Sequence, residues 1–175
     1  MTQIKRNRGF TLIEMMVTIL VLGFIVIGTA GFRYSSALDA RRAVKEADAA
    51  RIGLMFLEGW RGRQGSTSFN PTTQLYNPAS LITGPSGSFP AGPTGTGWQS
   101  LGSYTMTMKS VNPSETALTF YATLSYLDPG NPSPKVGLRV LNVTVAWPIT
   151  MNEKNYATAG NYWTFALTTF TEKPL

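Results

Sequence analysis

Neither cysteine nor histidine occurs anywhere in the 175 residues. The first absence removes disulfide staples and thiol nucleophiles, the second removes the usual general base near neutral pH, and both together remove the commonest zinc ligands. Hydrolytic triads that need His are excluded outright. Ser and Thr are abundant, but no base stands near them in the sequence. Charge is sparse as well, at 14% of residues, and between residues 10 and 32 Glu14 is the single ionisable side chain. The nine acidic residues fall into no metal-loop spacing outside the N-terminal helix. Asp128 sits in an Asp-Pro-Gly turn, where it reads either as a turn former or as a calcium ligand. Gly92, Gly95 and Gly97 lack both a preceding strand and a following Lys-Ser/Thr, so they make no phosphate loop. No catalytic, cofactor or metal site is expected.

What is present begins with an apolar run. Residues 10 to 32 are 23 positions, enough as a helix to reach about 35 Å and cross a hydrocarbon core of about 30 Å. A carboxylate inside such a segment costs on the order of a few kcal/mol and stands as a functional candidate by default. Lys5, Arg6 and Arg8 precede the run and supply half of the formal +6 charge. Three cations at that boundary predict an N-terminus that stays cytoplasmic while the remainder crosses. They also make much of the basic character a targeting feature, so nucleic acid is not expected as a partner. A secretory signal cut after the small-x-small string Gly28-Thr29-Ala30 is an alternative.

The string Arg8-Gly9-Phe10-Thr11-Leu12-Ile13-Glu14, after a basic leader and before an apolar run, resembles the precursor signature of type IV pilins and type II secretion pseudopilins. The resemblance implies cleavage between Gly9 and Phe10 by a prepilin peptidase and N-methylation of Phe10. It also implies assembly with other pilin or pseudopilin subunits, through an inner-membrane platform and its ATPase. The cut would expose an amine one helical turn from Glu14, so the cation of one subunit could pair with Glu14 of a neighbour and relieve two charges buried in lipid. The bland alternative is a Glu14 that snorkels to the interface. Gram-negative pilins of this kind often carry a C-terminal disulfide, which this chain lacks. Several have Pro where this chain has Gly31; Gly23, Gly28 and Gly31 read equally as helix loosening or as close helix packing.

After Phe32 helical periodicity continues to about Glu58, with Ala40, Val44, Ala47, Leu54 and Leu57 as its apolar stripe and no Pro before Pro71. Residues 59 to 103 are rich in Gly and Pro and read as a variable region, either a subunit-specific contact surface or a covering loop. Period-two alternation follows in residues 104 to 175. Tyr104, Met106 and Met108 share one face, as do Leu118, Phe120, Ala122, Leu124 and Tyr126. A third strand from about Val136 to Trp147 changes phase near Val140 and predicts a bulge there. A fourth, Tyr162 to Thr171, sets Trp163, Phe165 and Leu167 together. The four tryptophans read as core and loop packing rather than as a stacking surface.

The expectation is an α+β, pilin-like chain: a leader at 1–9, a transmembrane and assembly helix at 10–32, its amphipathic continuation at 33–58, the variable region at 59–103, and a four-stranded antiparallel sheet domain at 104–175. Its expected place is a single pass through the inner membrane with an extracytoplasmic domain, then a filament. The alternative is a monomeric, membrane-anchored extracytoplasmic binding module.

Overall fold

The computed structural model describes residues 11–76, 81–85, 87, 89–108, 117–129, 137–149 and 162–172. The leader residues Lys5, Arg6 and Arg8, the Gly9–Phe10 bond, and the turn signals at 112–114 and 130–132 lie outside them. The elements are α1 (Leu12–Gly62), α2 (Pro71–Gln74), β1 (Ile82–Thr83), β2 (Trp98–Met108), β3 (Leu118–Leu127), β4 (Leu138–Pro148) and β5 (Tyr162–Glu172). Two compact units divide the chain, residues 1–44 and 45–175, and α1 runs through the boundary.

In the second unit the strands form one antiparallel sheet in the order β1-β2-β3-β4-β5. Its apolar face comes from strict alternation: Tyr104 opposes Ala122, Leu124 opposes Val143, and Val143 opposes Leu167 across successive ladders. The last turns of α1 cover that face, and Phe56, Trp60, Phe120, Leu124, Leu141, Val143 and Val145 are all buried together. At Gly53 the helix lies near β5, where a Cβ would stand 3.0 Å from Leu167 Cδ1.

The buried stripe of α1 is Ala49, Ile52, Gly53, Phe56, Leu57 and Trp60. The expected stripe shares only Leu57 with it, since Val44 and Leu54 are exposed. The buried positions begin at Ala49, beyond the exposed Ala40, Val44 and Ala47, and include Gly53, which carries no apolar side chain to count. Along the helix, Arg51 Nη1 reaches the Asp48 carboxylate at 3.5 Å.

The sheet has five strands where four were expected. Two-residue β1 pairs Ile82 with Met106 and Thr83 with Thr105, too short to give an alternation signal. β2 begins at Trp98, inside the region read as irregular, and α1 ends at Gly62 instead of about Glu58. Alternation is interrupted in β2 by a register shift between Ser100 and Gly102, which hid the strand's first half. The bulge expected near Val140 does not form: β4 keeps unbroken register with β5 from Leu138 to Pro148. The phase change arises because Arg139 occupies the helix-side position, Leu138 is exposed, and Val140 is buried on the opposite face.

Arg139 is buried where an apolar residue was expected, and its guanidinium is fully engaged by geometry. Nε and Nη2 donate to the two Asp128 carboxylate oxygens at 2.7 and 2.8 Å, Nη1 donates to the Gly65 carbonyl at 2.6 Å, and the Tyr126 ring lies 4.5 Å away. Both oxygens of the candidate calcium ligand Asp128 thus face Arg139. Gly65 has φ of 66° and its amide returns to the Trp60 carbonyl at 3.0 Å, closing the helix end. Trp147 is buried in its strand, whereas Trp163 keeps 38% of its surface exposed.

Candidate assembly segment

The N-terminal segment starts with a cap. Thr11 Oγ1 accepts a hydrogen bond from the Glu14 amide at 3.3 Å, and the Thr11 carbonyl accepts from Met15 at 3.2 Å. Thr11-x-x-Glu14 is therefore the N-cap and N3 pair of a capping box, with its forward bond made. Sequence reasoning treated Glu14 as a charge alone and passed over Thr11. The T-x-x-E spacing before an apolar run was the available signal.

Glu14 stands in the first helical turn and is exposed. Unpaired amides at a helix start favour a negative charge there. Among the described residues the Glu14 carboxylate meets no cation, and Phe10, whose amine would follow from cleavage, lies outside them.

From Leu12 to Phe32 every large apolar side chain is 48% to 78% exposed. The helix is long and apolar enough to cross a membrane. Three of its hydroxyls turn back onto the helix: Thr18 donates to the Glu14 carbonyl at 2.7 Å, Thr29 to Val26 at 3.0 Å, and Ser35 to Phe32 at 3.0 Å. The glycines at 23, 28 and 31 have open space around a hypothetical Cβ, so nothing among the described residues requires them to be small.

An exposed apolar span with a capped, carboxylate-bearing first turn, continued by a helix that packs on an antiparallel sheet, is the build of a membrane-anchored, pilin-like subunit. Residues 4–30 match the family model for the prokaryotic N-terminal methylation motif, the hallmark of type IV pilin-like and pseudopilin-like proteins. No curated protein and no solved structure matches the chain. The motif points to a structural subunit rather than an enzyme, and it implies prepilin peptidase as the processing partner and other pilin subunits as assembly partners.

Proposed function

We propose that the chain is a minor pilin or minor pseudopilin, a structural subunit of a type IV pilus or type II secretion filament. Prepilin peptidase cuts between Gly9 and Phe10 and Phe10 is N-methylated. The subunit crosses the inner membrane once, N-terminus inside, and the assembly platform then draws it into a filament in the periplasm or on the cell surface. Lys5, Arg6 and Arg8 hold the leader on the cytoplasmic side. Glu14 takes the Phe10 amine of a neighbouring subunit, and residues 59–103 supply the contacts particular to this subunit.

The observation that carries the reading is the exposed apolar surface from Leu12 to Phe32 with a single carboxylate in its first turn. Lipid satisfies the apolar part, and a cation at the same depth would relieve the carboxylate. Intact mass and N-terminal analysis of the membrane-extracted protein test the processing step. Loss of residues 1–9 with a methyl group on Phe10 is expected in cells with prepilin peptidase, and retention of the leader in the Gly9→Ala variant. A mature mass unaffected by either the variant or deletion of the peptidase would refute it.

A further inference from the structure

The two edges of the sheet differ. β1, at one edge, is two residues long, while β5, at the other, pairs with β4 through eleven consecutive residues and no register shift. Beyond β5 no strand stands among the described residues, so its outer backbone from Thr164 to Glu172 faces no ladder. Sheet edges are commonly blunted by Pro, Lys, a bulge or shortness, and β5 has none of these. Tyr162–Glu172 contains no Pro and no cation, and its one charge, Glu172, is its last residue. Side chains on both faces reach solvent. Trp163 on the α1 side is 38% exposed and Phe170 on the far side 61%, and Thr164, Ala166 and Thr168 of the far side are exposed as well.

The direction of α1 decides what can occupy this edge. A Cβ at Gly53 would meet Leu167, and one at Gly65, just past the helix, would meet Thr171, so α1 and β5 run the same way. Two copies joined β5 to β5 in the antiparallel mode, the more stable one per residue, would carry their α1 helices in opposite directions. Copies anchored in one membrane with the same topology run them in the same direction. We propose that β5 accepts, as a sixth strand, an extended segment of a different polypeptide. Backbone hydrogen bonds supply its affinity, and the two side-chain rows supply selection. The row beside Trp163, Phe165 and Leu167 calls for apolar side chains, and the row beside Thr164, Ala166 and Thr168 for small or hydroxyl-bearing ones. Glu172 adds a cation at one end. The choice of a different chain rests on the membrane-anchored reading; the accepting edge does not.

A synthetic peptide of residues 162–172 serves as the probe, since it has one apolar and one Thr-rich row and is tied to no membrane. Laid antiparallel and centred on Leu167, it sets Thr168 against Ala166 and Glu172 against Tyr162, with no like charges opposed. Because the chain contains no cysteine, engineered thiols report without background. Detergent-solubilised full-length protein with Ala166→Cys is expected to form a disulfide with the peptide bearing Thr168→Cys at least tenfold faster than with one bearing Leu167→Cys, whose side chain falls on the other face. It is also expected to react at least tenfold faster than Thr67→Cys, an exposed position off the sheet. Equal rates overturn the accepting edge. In a second arm, full-length Ala166→Cys and Thr168→Cys proteins are co-expressed and oxidised in carbonate-washed membranes, where no disulfide between them is expected. A dimer trapped there overturns the assignment to a different polypeptide. Protein that washes off in carbonate overturns the anchor, and with it the exclusion of a second copy, while the peptide result stands.

Discussion

Arg139 and Asp128 meet through two parallel hydrogen bonds at 2.7 and 2.8 Å, although the arginine side chain is 5% exposed and the aspartate 34%. The burial is unequal, so the penalties for breaking the pair are unequal. Removal of Asp128 strands a guanidinium in the interior, and removal of Arg139 leaves a carboxylate that water can reach.

Asp128→Ala is therefore expected to cost about 2–4 kcal/mol and Arg139→Met less, with the double variant close to Arg139→Met alone. Thermal unfolding of the detergent-solubilised protein measures all three. Equal single-variant losses that add in the double variant would show that the two residues act independently.

The Asp128 carboxylate, by its hydrogen bond and charge, raises the Arg139 pKa above its already high ordinary value, against a smaller opposing effect of burial. A raised folded-state value gives stability that is present below the unfolded pKa, so this cation changes nothing between pH 5 and 9, both being about three or more units lower. Tyr104, buried at 3% exposure, has its phenol pushed above the usual value by loss of solvation. Its contribution is complete below about pH 10 and is lost as pH rises through the higher folded value, because the unfolded chain ionises first. Unfolding temperature should fall above about pH 10, and Tyr104→Phe should flatten that fall. An identical alkaline slope in the variant would place the titration elsewhere.

Two buried indoles differ in a single hydrogen bond. Trp60 Nε1 donates to the Ser66 carbonyl at 2.8 Å, while Trp147 Nε1 is buried with no partner among the described residues. Replacement by Phe removes similar ring area from both. It breaks a bond in one case, leaving the Ser66 carbonyl with the Phe69 amide at 3.2 Å, and removes an unsatisfied donor in the other. Trp60→Phe is expected to destabilise by about 1–3 kcal/mol more than Trp147→Phe. The reverse order in unfolding temperature would contradict the assignment.

Glu14 combines a capping position with a charge, and two substitutions separate them. Glu14→Gln keeps a side chain able to reach back to the Thr11 amide, whereas Glu14→Ala loses both features. If pairing with a neighbour's amine is the requirement, both variants are expected to be processed normally and to be reduced at least tenfold in sheared filaments, scored by immunoblot. Wild-type incorporation of Glu14→Gln would transfer the role to capping.

The features legible in the sequence were those carried by many residues acting in step. The apolar run, the Leu118 to Tyr126 alternation and the Tyr162 to Thr171 alternation each repeat one signal several times. What escaped was carried by single residues. Gly53 lies on the buried stripe of α1 against Leu167 with no side chain to signal it, and Gly102 follows the shift that concealed the start of β2. Arg139 occupies an interior position because partners 11 and 74 residues away in sequence, Asp128 and Gly65, complete its hydrogen bonds. No local pattern contains that information. Within the candidate site, Glu14 stood out as an isolated charge, while Thr11 needed its role at the start of the helix to be seen.

The hydroxyls of Thr18 and Thr29, turned back onto their own helix, have a consequence for how the span sits in a bilayer. Around its circumference the segment from Met15 to Phe32 offers neighbours hydrocarbon, methionine thioethers and glycine, and no charge. Among its ionisable groups azimuth is marked at one level alone, by the carboxylate of Glu14. A charge partner for such a span therefore has a single depth at which to engage it.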